Sequence, residues 1–266
     1  MTLQDLCRYT KEVGTITVVI ITKNEECNIE RCLKSIHDWV DEIIIMDSHS
    51  TDRTPEICRS FDRVTFYDTD WLGYGATKNL GNSKAHSDYI LSLDADEAIS
   101  EELKQEILQL QPQLDGTTAF YLNRLVNYCG RWIYHSGWHP DYQLRLFPKA
   151  TSHWNEAKVH EKVIVQDNTQ TNRLKSPLYH YTYHTLSDHL ERLNLYTSLD
   201  GERLAESKKN FLVIRGLISF FSRFLKHYFL KRGFLDGFEG FCIASLSAFA
   251  GFVRYLKAYH LRKGIR

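Results

Sequence analysis

The sequence has no excess charge of either sign: 33 Lys and Arg stand against 33 Asp and Glu in 266 residues. A general nucleic-acid binder would show a basic excess, so that class is excluded. Proline is scarce, with five residues, which argues against long extended linkers. Six cysteines occur, but none forms a Cys-x-x-Cys pair and no Cys/His spacing suits a zinc site. No Gly-x-Gly-x-x-Gly follows the first apolar run, which disfavours a dinucleotide fold, and the absence of a Gly-x-x-x-x-Gly-Lys-Ser/Thr loop excludes a P-loop. The longest uncharged run, Gly240 to Val253, has 14 residues. A membrane span needs about 20 apolar residues, so no transmembrane helix is expected. The first residues include Asp5, Arg8, Lys11 and Glu12 and hold no apolar core of signal-peptide length. A cytosolic chain with reduced thiols is the expectation.

What is present is the balance of a globular protein, 43% hydrophobic and 25% charged, long enough to bury a core without staples. The neutral total hides a division. Residues 211–266 carry ten Lys/Arg and two acids, Asp236 and Glu239, so that segment is +8 and the rest is −8. Ten of the 14 phenylalanines fall there too. This predicts two parts with different solvents, a domain over 1–205 and a C-terminal region over 206–266.

Thr15 to Thr22 is a β-branched run, apolar at nearly every position, as in a strand covered on both faces. Asn28 stands as an N-cap before Ile29, Cys32, Leu33 and Ile36 at helical spacing. Glu42 to Met46 reads as a second buried strand, Thr54-Pro55 as a helix start, and Val64 to Tyr67 as a third strand. Thr77 to Ala85 reads as helix and Tyr89 to Leu93 as a fourth strand. Alternating strands and helices predict an α/β fold with a mostly parallel sheet. Thr118–Leu122 and Gln143–Phe147 read as later strands, and the chain after about 185 as helical.

Ligands of such sheets sit beyond the carboxyl ends of the strands. Polar residues gather at those ends here: Thr22-Lys-Asn-Glu25, Asp47, and Asp94-Ala-Asp96. Two carboxylates at i and i+2 after an apolar strand make a compact hard-oxygen site of the kind that Mg²⁺ or Mn²⁺ prefers and bridges to substrate phosphates. An acidic turn alone would also explain the pattern; Asp47 at the end of the second strand favours the site.

Val18-Val-Ile-Ile-Thr-Lys-Asn-Glu25, Ile45-Met-Asp-Ser-His-Ser-Thr-Asp52, Lys78-Asn79 and Leu93-Asp-Ala-Asp-Glu97 together resemble the family-2 glycosyltransferases of the GT-A fold. The resemblance implies a GT-A α/β sheet flanked by helices, a nucleotide-sugar donor and a divalent cation, Mg²⁺ or Mn²⁺. It implies that Thr22, Asn24, Glu25 and Asp47 hold uracil and ribose, that Lys78 contacts the nucleotide, and that Asp94 lies on the ribose side of the metal ligand Asp96. Three of them have a plainer alternative. Glu25 could cap the following helix, Asp47 could cap its turn, and Lys78 could be a solvated helix charge. Asp52 reads as a helix-start residue.

The phrases Gly137-Trp-His-Pro-Asp-Tyr-Gln-Leu-Arg-Leu-Phe147, Trp154-Asn-Glu156, Val159-His-Glu161 and Gly233-Phe-Leu-Asp-Gly237-Phe-Glu-Gly240 resemble the branch that includes bacterial lipopolysaccharide inner-core heptose β-glucosyltransferases. This implies UDP-glucose as donor and a membrane glycolipid as acceptor. An inverting transferase needs a carboxylate to deprotonate the acceptor hydroxyl; Glu161 is the first candidate and Asp141 the second. His160 is a candidate metal ligand or phosphate donor, or a packed histidine. Arg145 either pairs with diphosphate or forms a structural ion pair. Trp132, Trp138 and Trp154 either stack on sugar or pack. A nucleotidyltransferase of similar fold is the enzyme alternative; a non-catalytic membrane-binding scaffold is the other.

In the tail, Phe220, Phe221, Phe224, Leu225, Tyr228 and Phe229 recur at helical spacing, with Arg223, Lys226, Lys231 and Arg232 interleaved. A basic, aromatic, amphipathic helix lies in a membrane interface. The expected location is therefore the inner face of the cell membrane, with the protein attached peripherally.

Overall fold

The computed structural model describes residues 14–155, 161–207 and 210–265. The chain divides into two compact units: residues 1–124 with 141–180, and residues 125–140 with 181–266.

The first unit is built on β1 (Ile16–Thr22), β2 (Glu42–Asp47), β3 (Val64–Asp68) and β4 (Tyr89–Asp94). These pair in parallel in the order β3-β2-β1-β4. Continuous β-branched runs suit them because both faces are covered. Every residue of β1 is buried. One face packs on Ile29, Cys32 and Leu33 of α1 (Ile29–Lys34) and on Ile36 beyond it. Asn28 stands at the N-terminus of α1, but its side chain makes no cap bond. It donates to Glu25 and accepts from Arg31 instead. Helix α2 (Thr54–Arg59) opens with Pro55 in its first turn, and Asp52 accepts from the Thr54 amide at 3.0 Å. On the other face lies α3 (Tyr74–Lys84). It can approach closely because Gly81 meets Val19 and Met46, where a methyl group would overlap both. That approach carries the buried Thr77 and Lys78 down onto the sheet.

The parallel pairing expected from the strand–helix alternation covers these four strands. Beyond β4 the sheet is antiparallel. β8 (Asp141–Pro148) pairs with β4 and with β6 (Thr118–Tyr128), and β11 (Gln170–Tyr183) pairs with β5 (Glu97–Ile99). β5 follows β4 after a two-residue turn, and α4 (Glu101–Leu110) is capped by Ser100, whose hydroxyl accepts from the Leu103 amide. A short hairpin of β9 (Ser152–Trp154) and β10 (Val163–Val165) forms a separate two-stranded sheet.

In the second unit, the end of β6 pairs with β7 (Arg131–Trp132). Its helices are α5 (Leu186–Glu206), α6 (Leu212–Phe224), a π-helical turn Leu225–Leu230 and α7 (Gly237–Arg262). A capping box of Thr185 and Asp188 starts α5. α7 packs on both other helices through small residues: a Cβ on Gly201 would press on Lys257, and one on Gly216 would press on Phe252 and Tyr255. Lys257 donates to Asn194, Thr197 and Ser198 of α5. Asp236 is buried and accepts from the Tyr134 and His135 amides at 3.1 Å and from the Ser136 hydroxyl at 2.9 Å. Trp138 lies in an aromatic cluster with Tyr128, Tyr183 and His189, and Trp132 meets Tyr181 edge-on.

The helical stretch Gly233–Arg262 corrects the expectation drawn from the uncharged run alone. It has 30 residues and a most apolar window of mean hydropathy 1.3, so by length and composition it could cross a membrane. Glu239 and Arg254 bound the uncharged run, but the helix continues through both. Among the described residues, Cys27, Cys32, Cys58, Cys129 and Cys242 form no disulfide.

Candidate active site

The parallel strands set the site by register. Thr22 lies opposite Asp47 and Ile21 opposite Asp94, so the carboxyl ends of β1, β2 and β4 present their polar residues at one edge. The loops after β1 and β2 are stitched together. The Asn24 amide donates to Ser50 Oγ at 2.7 Å, Asn24 Oδ1 accepts from the Thr51 amide at 2.8 Å, and the Glu25 amide donates to Thr54 Oγ1 at 2.8 Å. Asn24 takes a positive φ of 55° to make this turn, a conformation asparagine tolerates. Asp47 is buried and accepts from the Ser50 amide at 2.8 Å and its hydroxyl at 2.6 Å. Its carboxylate therefore organises the β2 loop. The Thr22 hydroxyl is buried and meets no hydrogen-bond partner among the described residues.

At the end of β4 a buried charge network forms. Lys78, 1% exposed, donates to Asp94 Oδ1 at 2.8 Å and lies over the Trp154 ring, 4.3 Å from its centre. It is thus not a solvated helix charge. Arg145 Nη2 makes a short hydrogen bond to Asp94 Oδ2 and a second, of 2.8 Å, to Glu97 Oε1. Glu97 also accepts from the Asp94 amide at 2.9 Å and stands 3.6 Å from Arg124. Burial pushes the Asp94 carboxyl up, but Arg145 and Lys78 outweigh it and hold the group well below the usual carboxylate range. Burial lowers Arg145, and Asp94 and Glu97 raise it further, so its proton is secure. Of the two alternatives for Arg145, the structure shows the ion pair.

Asp96 faces His180 Nε2 at 3.2 Å. Among the described residues no three His, Cys, Asp or Glu side chains converge on a metal position. The Asp96–His180 pair nevertheless suits a divalent ion. Adjacent ligands of an octahedral ion with bonds of about 2.1 Å lie about 3 Å apart, and Mg²⁺ sites commonly combine one or two protein ligands with substrate phosphates. Sequence reasoning missed His180, which reaches Asp96 through the pairing of His180 with Glu97 in β11 and β5. It missed Glu97 as well, although that residue ends the Leu93–Glu97 phrase.

Asp141 is held by Arg124 Nε at 2.8 Å and Nη2 at 2.6 Å, and its other oxygen accepts from Gln143 at 2.6 Å. Glu161 is half-buried on the loop between β9 and β10. Reciprocal bonds of Asn155 and Lys162 close the base of this loop. Asn79 grips the backbone of Trp154 in both directions at 2.8 Å, which ties the hairpin to α3 near Lys78. Trp154 is buried and packs. His160 lies outside the described residues.

The glycosyl transferase family 2 model matches residues 17–176. The chain is 29% identical over 255 residues to an uncharacterised glycosyltransferase of Rickettsia typhi, covering 92% of this chain and 87% of that one. It is 24% identical over 249 residues to the lipopolysaccharide core biosynthesis glycosyltransferase LpsC of Rhizobium meliloti, covering 92% of each. Among solved structures, S. aureus TarS in complex with UDP-GlcNAc superposes with a TM-score of 0.48 at 14% identity, over 94% of this chain and 92% of that one. The family model spans well over half of the chain, including every strand end of the site: the protein belongs to glycosyl transferase family 2 and is a glycosyltransferase of the GT-A fold.

Proposed function

We propose that the protein is an inverting, metal-dependent hexosyltransferase. It takes glucose from UDP-glucose and places it on a membrane glycolipid, with lipopolysaccharide inner-core heptose as acceptor. The observation that carries the catalytic half is the division of labour at the end of β4, where Asp94 is locked by Lys78 and Arg145 while Asp96 faces His180. The likeness to LpsC along nearly the whole chain supports the acceptor class.

Thr22, Asn24, Glu25 and Asp47 hold uracil and ribose at the ends of β1 and β2. Asp94 is fixed as an anion on the ribose side. Lys78 and Arg145 act on the donor through Asp94, since both are committed to it. Asp96 and His180 would hold Mg²⁺ or Mn²⁺, which supplies charge neutralisation of the departing diphosphate. Glu161 accepts the proton of the acceptor hydroxyl as that oxygen bonds to the anomeric carbon. The bond to UDP breaks on the opposite face, so configuration inverts.

Asp96→Asn is expected to weaken Mn²⁺-dependent UDP binding by more than about tenfold. Loss of an outer-sphere partner alone typically costs 10–100-fold in metal affinity. Calorimetric UDP titration with and without Mn²⁺ checks this; equal cation-dependent affinity in the variant would sink the metal assignment. A donor screen for metal-dependent nucleotide-sugar hydrolysis tests UDP-glucose itself.

The second unit supplies attachment to the inner face of the membrane. Phe211, Ile214, Ile218 and Phe221 are exposed on and beside α6, as are Leu230, Phe234 and Phe238 further on. The inner side of α7 is occupied by its packing on α5 and α6, which favours an interfacial position over a span. Full-length protein should sediment with anionic vesicles and be partly released by salt, because apolar burial survives screening and ionic attraction does not. A span would resist salt, and absence of binding at any ionic strength would refute the attachment while leaving the catalytic reading intact.

A further inference from the structure

Within the second unit, a cavity of about 440 Å³ is lined by Arg215, Arg223, Lys226 and Arg254, with the hydroxyl residues Ser219 and Ser222. A second cavity, of about 280 Å³, shares Arg223 and Arg254 and adds Arg192. The carboxylate that faces this group is Asp200, 3.5 Å from Arg254 and itself partly exposed. Arg254 Nε is buried and meets no hydrogen-bond partner among the described residues. Burial, and then the charge of Arg254, push the Arg223 guanidinium below its ordinary value.

So many cations around one acid repel one another unless an anion joins them. The placement of Arg223 is built into the helix packing. A methyl group on Gly251 of α7 would overlap the Arg223 side chain and the Ser219 hydroxyl. Guanidinium forks and hydroxyl donors on a concave floor match the several oxygens of a phosphate. The same wall is apolar: Ile218 lines the cavity and is 64% exposed, and Ile214, Leu217, Phe221 and Leu225 are exposed along the same stretch. A soluble phosphate would leave that apolar surface in water. A phosphate that carries acyl chains would satisfy both.

We propose that the cleft between α6 and α7 is a discrete site for the phosphate headgroup of an anionic membrane lipid, gripped by Arg223 and Arg254 with Arg215 and Lys226 at its mouth. The proposal rests on the membrane reading above and goes beyond it, because diffuse attraction needs no particular arginine.

The test uses full-length protein, vesicles of phosphatidylcholine with and without one-fifth phosphatidylglycerol, monomeric dihexanoyl-phosphatidylglycerol, and inorganic phosphate. The variants are Arg223→Gln, Ser222→Asp and, as a charge-matched control at the exposed end of α7, Lys263→Gln. Arg223→Gln and Ser222→Asp should each reduce partition onto anionic vesicles by at least about tenfold. Lys263→Gln should lose no more than the roughly fivefold that about 1 kcal/mol per diffuse basic residue represents. The monomeric lipid should bind the wild type saturably and outcompete inorganic phosphate. Donor hydrolysis should be unchanged in all three variants, which also reports that they fold; if Arg223→Gln does not fold, Ser222→Asp decides.

Equal losses in Arg223→Gln and Lys263→Gln would overturn the discrete site and leave membrane attachment standing. Inorganic phosphate binding as tightly as the short-chain lipid would show a free-phosphate site and overturn the lipid assignment. If the wild type ignores vesicles, the membrane reading fails. The short-chain lipid titration then decides the site alone: saturable binding lost in Arg223→Gln upholds it, and no binding overturns it.

Discussion

Glu161→Gln is expected to lower sugar transfer by about 10²–10⁴-fold, the usual contribution of a general base, while UDP affinity stays at the wild-type level. Asp141→Asn should do less to the chemical step. Both Asp141 oxygens are occupied, one by the Arg124 fork and the other by Gln143, so neither is free of a protein partner. Glu161 has no such clamp among the described residues. It lies within the loop closed at its base by Asn155 and Lys162, on a hairpin fixed to α3 through Asn79 and Trp154. Transfer measured at saturating donor separates the two residues, and UDP titration shows that binding survives. An active Glu161→Gln beside a dead Asp141→Asn would move the base to Asp141.

How much of this could be read in advance differs between the two halves of the sheet. β1, β2 and β4 are legible because burial on both faces demands continuous apolar runs, and those runs stand out from any amphipathic segment. Their carboxyl ends expose Asp47, Asp94 and Asp96 in plain sequence. The antiparallel half is less legible. β5, β9 and β10 have three residues each, too short for a period to show. β6 carries a register shift at Phe120/Tyr121 that breaks its alternation. The partners within the site are fixed by tertiary placement. Lys78 finds Asp94 because α3 is seated through Gly81. Arg145 reaches the same carboxylate because β8 runs antiparallel to β4. His180 meets Asp96 through strand register across a long sequence separation. No local spacing encodes any of the three. The tail shows the converse: its charge and phenylalanine content were plain, but the long α7 was obscured by counting only uncharged residues, because the helix continues through Arg254 and Lys257.

Arg145→Met should destabilise the protein by about 3–5 kcal/mol, the cost of removing one partner from a buried ion pair. Arg145 is 4% exposed and is shared by Asp94 and Glu97. Its loss leaves Glu97 with Arg124 at 3.6 Å and Asp94 with Lys78 alone. The methionine fills similar space, so the loss reports charge more than cavity. Acid makes the assignment specific. In the wild type, Asp94 is held well below its ordinary value by Arg145 and Lys78 against burial. The stability it contributes is therefore present above the unfolded value, about 3.9, and drains away as pH falls below it toward the folded value. In Arg145→Met the folded value rises toward the unfolded one, so unfolding free energy should fall less steeply from about pH 4 downward. Adding Asp94→Asn to Arg145→Met should recover part of the loss, because the carboxylate left without its guanidinium is then neutral; the two single changes should not add. Urea unfolding of the four proteins between about pH 2.5 and 7 measures all three quantities. A loss below about 1 kcal/mol, or an acid slope unchanged from wild type, would show that the network at the end of β4 does not hold Asp94 as described.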